Sequence, residues 1–450
     1  MKTKIILTAS VLAVTALIML AVFVSADGGS DRDAGIDPDL QELIDNVPAP
    51  EQQRLDKCRT DSDVLAVSGK MPELKAGKDS YDWFVSLQNV RQKVTRDGIL
   101  KEYMYPQGPV VGYGVRAEHY FTVALYNGND DENEPDAEMV DEIISVLTVA
   151  AAEEGISDMP IVVEKGEPLR FDDGTYTTTE EEKQILRQEN PDLYKNSSDK
   201  GTPVTGTGAD GKEIIMYITG FPVLYRPFDE NSLMALDLLD SSGYDSQYRP
   251  IIGGITHTIA VTQNNFSVGT TGFAAKNTTT NQTGYVTAGH VAFWQTGLSA
   301  YQPYITSPPS TGSVSVLGTN TDVAFVSYSN VTGKIHIGNG TLVKVNGTYA
   351  GGMPGMTLSR SGRLSGNVSG TYVGSFTNVT FDGRLLENIE AMAGTCYPGD
   401  SGGPVYYKSG SKYKIVGITS MSGTYGNQSV TIYIPYSEIS SKLGIEALNG

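Results

Sequence analysis

The chain has 450 residues, with 33 Lys and Arg against 52 Asp and Glu, a net charge of −19. No basic patch interleaved with aromatics occurs, which argues against nucleic-acid binding. The charge is divided: 10 basic and 7 acidic residues stand from Ile251 onward, which leaves 23 basic and 45 acidic before it. Either half is long enough to bury a core. The two cysteines, Cys58 and Cys396, fall on opposite sides of that division. Two free thiols are the favoured reading; a bridge tying the halves together is the alternative.

Lys2 and Lys4 precede the mainly apolar, charge-free run Ile5–Val24, and Ser25-Ala26 offers small residues for cleavage. Residues 1–26 therefore read as an export signal, or as an anchor if uncleaved. Residues 27 to about 60 are polar and acidic and predict poor order. Pro109 to Tyr126 predicts two short strands. The acidic loop Asn127–Glu134 lacks the glycine and closing glutamate of an EF-hand, so a solvated loop is preferred over a Ca²⁺ site. A helix should start at the N-cap Asp136, carry the stripe Met139, Val140, Ile143, Ile144, Leu147 and Ala151, and stop at Gly155. Pro160–Glu164 reads as a strand, completing a small α+β module over about 107–166. Beyond it, Thr177–Asn190 is polar and helix-like, Ile214–Pro227 strand-like, and Asp237–Arg249 reads as an exposed connector. From Ile251 the abundance of Gly, Ser, Thr, Asn and Tyr predicts an all-β domain of short strands and polar turns. Asn-x-Ser/Thr sequons begin at Asn196, Asn265, Asn277, Asn281, Asn330, Asn339, Asn346, Asn367, Asn378 and Asn427 and offer N-glycan acceptors if the host glycosylates.

The chemistry gathers around Gly399-Asp400-Ser401-Gly402-Gly403-Pro404. A serine attacks only if a base takes its proton and donors await the oxyanion. The glycines let the amides of Gly399 and Ser401 point at one spot. Of four histidines, His290 closes Val286-Thr287-Ala288-Gly289-His290, whereas His257 and His336 lie in strand-like runs and read as structural. Asp322, in Thr321-Asp322-Val323-Ala324-Phe325-Val326, lies between His290 and Ser401 in the chain. His, Asp, Ser is an order in which this triad is known to occur.

Together these motifs resemble the trypsin-like serine peptidases. Ile251-Ile252-Gly253-Gly254, Gly272-Phe273, Tyr285–His290, Arg360-Ser361-Gly362-Arg363 and Gly417-Ile418-Thr419-Ser420 are similar to the α-lytic protease and streptogrisin group over residues 251–450. The resemblance implies two antiparallel Greek-key β-barrels, about 251–330 and 331–435, followed by a short helix over 436–443. It implies Ser401 as nucleophile, His290 as base, Asp322 as its orienting acid and the Gly399 and Ser401 amides as oxyanion hole. It further implies an Arg360–Asp400 pair, a substrate-binding strand at Ser420, and Thr395, Met421 and Ser422 around the specificity pocket. No acid stands in Ala393–Pro398, so Lys or Arg selection is not expected; a small or medium apolar side chain is. No metal or cofactor is required. The relatives' disulfide positions are replaced here by Val291, Gly269, Ser359 and Ser369, and Cys396 has no partner. Residues 27–250 then read as a propeptide that assists folding and inhibits, cut after Pro250 or upstream. The expected partners are polypeptide substrates and this propeptide, with a monomer once processed, outside the cell or tethered to the outer membrane face. The rival readings are a permanent adhesive front domain, a non-catalytic surface glycoprotein, and a membrane-anchored protease of the HtrA kind.

Overall fold

A computed structural model describes residues 37–126, 135–166, 202–207, 213–218, 243–262, 265–305, 307, 309–381, 384–425 and 428–450. The run read as an export signal and the acidic loop 127–134 lie outside them, as does the helix-like stretch 177–190. Among the described residues no helix is long and apolar enough to cross a membrane.

Pro38 at the first position and an Asp37 cap, which accepts from the Asp39 N–H at 3.0 Å, open helix α1 (Pro38–Asp45). Helix α2 (Gln52–Cys58) follows, so the expectation of poor order does not hold from residue 37. The reason is tertiary. Leu40, Leu43 and Ile44 are buried on one face, and Asp37 and Asp39 meet Lys414 and Lys412 from the far end of the chain. Strand β1 (Val64–Ser68) and helix α3 (Lys78–Arg96) come next, then β2 (Val110–Arg116), β3 (Phe121–Tyr126), α4 (Ala137–Glu153) and β4 (Ile161–Gly166). Asp136 caps α4 by accepting from Met139 N at 2.8 Å. The module thus reaches back to residue 37 rather than beginning near 107. Strands β5 (Thr202–Thr207) and β6 (Glu213–Ile218) form an antiparallel hairpin.

The β domain opens with β7 (Ile251–Gly253), β8 (Thr256–Thr262), β9 (Asn265–Thr270), β10 (Ala274–Asn277), β11 (Thr283–Thr287), β12 (Ser299–Tyr301), β13 (Ser313–Leu317) and β14 (Ala324–Ser327). Their ladder runs β10-β11-β14-β13-β12-β8-β9. Because β9 runs on into β10 with only three residues between, and Gly272 N donates to Val286 O at 2.7 Å at that bend, the ladder closes into the first barrel. Then come β15 (Val331–His336), β16 (Leu342–Thr348), β17 (Thr357–Gly362), β18 (Gly366–Thr377), β19 (Val379–Phe381), β20 (Arg384–Leu386), β21 (Ile389–Ala393), β22 (Pro404–Ser409), β23 (Lys412–Tyr425) and β24 (Gln428–Pro435). The pairs β17·β18, β18·β21, β21·β24, β24·β23, β23·β22 and β22·β17 close the second, antiparallel barrel. Helix α5 (Tyr436–Leu443) ends at the left-handed Gly444, and β25 (Ile445–Ala447) returns to pair with β10.

The two regions are continuous. Strand β2 pairs antiparallel with β18, so the front sheet β1-β4-β3-β2 extends the second barrel. Along β21 and β24 the side chains alternate by the period of two that any strand imposes. Ile389, Ala391, Ile432 and Ile434 join a core that also takes Phe273, Val286 and Phe325 of the first barrel, whereas Met392 and Tyr433 join a core shared with Leu40, Leu43, Phe84 and Leu87 of the front module. Phe84 of α3 meets the Tyr372 ring edge-on at 6.3 Å. Arg91 donates to Asn388 Oδ1 at 3.0 Å and to the Thr377 hydroxyl, while Gln88 Nε2 donates to Ser375 Oγ at 2.6 Å.

Two sequence-level expectations are sharpened here. Both cysteines are free, and burial pushes the Cys396 thiol up to about 12. A hydrogen bond of 2.8 Å joins Ser359 Oγ to Ser369 Oγ across β17 and β18, and Gly269 sits against Val291. Among the sequons, the Asn277 amide is buried and donates to Leu443 O at 3.3 Å, and the Asn378 amide donates to Tyr113 Oη at 3.1 Å.

Candidate functional site

His290 and Asp322 come from the first barrel. The strand pairing of Thr287 with Ala324 sets the ends of β11 and β14 side by side, so the residues beyond β11 and before β14 meet. Asp322 Oδ1 accepts the His290 backbone N–H at 2.8 Å, and Oδ2 lies 2.8 Å from Nδ1 of the ring. Two contacts to one carboxylate fix both the backbone and the imidazole. Asp322 is 0% exposed. Burial pushes its carboxyl up, but the His290 ring, the Ser420 hydroxyl and the His290 amide more than offset this, and the net shift is downward. The turn after His290 holds Phe293 and Trp294 at φ 52° and 47°, a region bulky residues rarely enter. Hydrogen bonds of 2.9 Å from Phe293 N to His290 O and from Trp294 N to Gly289 O keep it there.

Ser401 and its loop come from the second barrel, between β21 and β22. Gly399 at φ 101° and Gly402 at φ 90° make turns that a side chain would strain. Thr270 of β9 reaches across the seam: its N–H donates to Ser401 O at 2.9 Å and its hydroxyl to Gly399 O at 2.6 Å. Gly402 N donates to Thr419 O at 2.7 Å. With these groups spoken for, the Gly399 and Ser401 N–H groups meet no acceptor among the described residues. Ser401 Oγ donates to Ser420 O at 3.1 Å, and Ser420 Oγ donates to Asp322 Oδ2 at 2.5 Å. Ser420 therefore touches both halves of the site.

Asp400, 0% exposed, points away from Ser401 into the second barrel. Arg360, 1% exposed, donates to its Oδ2 at 3.1 Å and also to the Thr395 carbonyl. Leu364 N, Ser365 N and Tyr397 N donate to the same carboxylate at 2.9, 3.0 and 3.0 Å, and the Ser365 hydroxyl adds another bond. Such a buried ion holds only because every lone pair is met. Thr395 and Ser422 are exposed, and Met421 packs partly against the core that both barrels share. His257 is wholly buried with Nε2 2.9 Å from Thr287 Oγ1, and burial pulls its pKa down to about 3. His336 is buried against Tyr244. Sequence reasoning missed Thr270, Ser365 and the Ser420–Asp322 bond, since a lone Thr or Ser in a strand carries no signal of a partner elsewhere in the chain.

The structure thus brings together His290, Asp322, Ser401 and Ser420 at the seam, with two unengaged amides beside the serine. Groups of these types are those that move a proton and hold an oxyanion in acyl transfer.

No family model matches the chain, and no curated relative does. Solved structures do. Protease A of Thermobifida fusca is 26% identical, with TM-score 0.36, over 44% of this chain and 99% of that one. The Cellulomonas bogoriensis chymotrypsin is 26% identical, with TM-score 0.35, over 44% and 99%. The Nocardiopsis protease is 24% identical, with TM-score 0.35, over 44% and 98%. The two closed antiparallel barrels described above, with a helix after the second, are the chymotrypsin fold.

Proposed function

We propose that residues 251–450 are a serine endopeptidase made as an exported precursor, with the front region as folding assistant and inhibitor. The observation that carries this reading is the Asp322–His290 pair at 2.8 Å across a seam from a serine loop with two unengaged amides. Ser401 has one hydroxyl proton, now donated to Ser420 O. Rotation about its side chain hands that proton to His290 as Oγ attacks the peptide carbonyl. Asp322 stabilises the imidazolium, which then protonates the leaving amine. The Gly399 and Ser401 amides hold the oxyanion; losing one such donor typically costs about 100-fold or more in rate. Water repeats the cycle on the acyl-enzyme.

Support for the front region's role comes from β2 extending the sheet at β18 and from the shared core. A surface that offers a whole strand and an apolar face suits a template for the second barrel, whose non-local pairing is slow to form. The stretch Ala393–Pro398 and Met421 support a preference for small or medium apolar side chains before the scissile bond.

The test is an intact mass of exported wild type beside Ser401→Ala, with and without a fluorophosphonate probe. Processing and one probe in wild type, with neither in the variant, is the expected result. Full-length, unlabelled protein in both would overturn the reading.

A further inference from the structure

The segment before Ile251, expected to be an exposed connector, is built into the β domain. Tyr244 is 1% exposed, its ring edge-on to His336 at 4.3 Å and its hydroxyl 3.2 Å from Ser361 Oγ. Its carbonyl accepts Thr256 N at 3.0 Å. The buried Gln302 clasps the next residues: Nε2 donates to Ser246 O at 2.7 Å, and Oε1 accepts from Tyr248 N at 2.9 Å and Arg249 Nη1 at 2.8 Å. Ile251 is 0% exposed and its N–H donates to Asn330 O at 2.8 Å. A cut before Ile251 would put a new ammonium in that dry site against the Asn330 carbonyl, which is costly.

The same segment leads to the serine loop. Asp245 Oδ1 accepts the Thr256 hydroxyl and lies 3.7 Å from Arg363 Nε, which donates to Thr256 Oγ1 at 3.2 Å. The Arg363 side chain lies along Gly399, where an added Cβ would stand 3.3 Å from its Cδ and Nη1. Arg363 N donates to Thr270 Oγ1 at 3.1 Å, and that hydroxyl donates to Gly399 O. Tyr244 meets the run Arg360–Arg363 at Ser361, and Asp245 meets it at Arg363. Arg360 in that run holds Asp400.

We infer that residues 243–250 remain with the catalytic domain in the active enzyme, where Tyr244 and Asp245 position the loop bearing the Gly399 and Ser401 amides. The inference rests on the peptidase reading above. Tyr244 and Asp245 are positioning residues: they act through Ser361, Arg363 and Thr270 and touch no substrate.

The test uses the full chain, exported and treated with the fluorophosphonate probe. The labelled wild-type species is sized by intact mass and its N-terminus sequenced. Rates for Asp245→Ala, Asp245→Asn and Tyr244→Phe are normalised to titrated sites, so that unfolded protein does not count. The labelled species should begin at or before Gly243. Asp245→Ala should lower kcat by about 10- to 100-fold with KM little changed, as expected when a reacting group is misplaced rather than removed. Asp245→Asn keeps the acceptor for Thr256 and should recover most of the loss. A labelled species beginning at Ile251 with full activity overturns the inference, as does unchanged kcat in both Asp245→Ala and Tyr244→Phe. Absence of label in wild type overturns the peptidase reading and this inference with it; label on a species that begins at Ile251 removes this inference alone.

Discussion

The two barrels contribute to the seam in different ways. The first supplies His290 and Asp322, closes on itself, and has a core of its own around Ile259, Tyr285, Val314 and Val326. The second supplies Ser401, Ser420 and the Arg360–Asp400 support, and its outer face is finished by the front module. Strands β18, β21 and β24 carry apolar side chains on both faces, so stripped of α1 and α3 this barrel would expose Tyr372, Met392 and Tyr433. The half with His290 thus takes no core residue from the front module, whereas the half with Ser401 does. By this asymmetry the front module covers the half that carries the serine.

The largest effects should come from cutting the seam. Ser401→Ala should lower kcat by about six orders of magnitude and Asp322→Asn by about four, read with a peptide ester substrate, with little change in fold. Activity within tenfold of wild type in either would remove that residue from the mechanism.

Next is the buried support of the second barrel. Arg360→Ala leaves Asp400 buried without its cation, and removing one partner of such a pair typically costs about 3–5 kcal/mol. Denaturant unfolding should show the loss, and probe labelling should slow with it. An Arg360→Ala chain as stable and reactive as wild type would mean that the backbone donors to Asp400 suffice.

The shared core comes third. Phe84→Ala removes a ring packed on Tyr372 and should cost about 3–5 kcal/mol in the full-length chain. Hydrogen exchange should rise in β18, β21 and β24 and stay unchanged in β11 and β14. Equal loosening of both barrels would erase the asymmetry.

The smallest effect is a pH dependence. Burial pushes the Glu390 carboxyl up from 4.5 to about 7, although the Gly352 N–H, the Tyr433 hydroxyl and Arg91 of the front module all favour its charged form. The native chain therefore holds this proton more tightly than the unfolded chain does. The contribution is fully present below about 4.5 and is lost as pH rises through about 7. Glu390→Gln should flatten the fall in melting temperature across that window; an unchanged slope would assign it to another group.

Much of this was legible because it is local. The Asp136 cap and the apolar stripe of α4 are short-range signals, and the structure has the helix at Ala137–Glu153. Helix α5 stands at Tyr436–Leu443, where the family resemblance implies it. The triad candidates were readable because glycine-rich turns around a serine, and a histidine closing a strand, are chemical patterns in the chain itself. Helix α1 was not, because its acidic start is offset by Lys412 and Lys414 and its apolar face by a core on another part of the molecule; nor was α2, whose Leu55 packs on Met71, Tyr120 and Val162. Nor was the burial of Tyr244, since residues 237–249 carry connector-like composition and the pocket that takes its ring is made by His336 and Ser361. Phe293 and Trp294 in left-handed turns contradict local preference and are held only by their surroundings.

By itself the sequence determined the all-β character of the second half, the cap and apolar stripe of α4, and residue types suited to acyl transfer. These follow from composition, periodicity and short motifs, which are properties of neighbours along the chain. The tertiary structure alone decided that the front module extends β18 and shares a core with one barrel, that Ser420 joins Asp322 to Ser401, and that Tyr244 and Asp245 meet Ser361, Thr256 and Arg363. Those contacts link residues tens to hundreds of positions apart. Their strength comes from desolvation and exact complementarity of partners that no local pattern specifies.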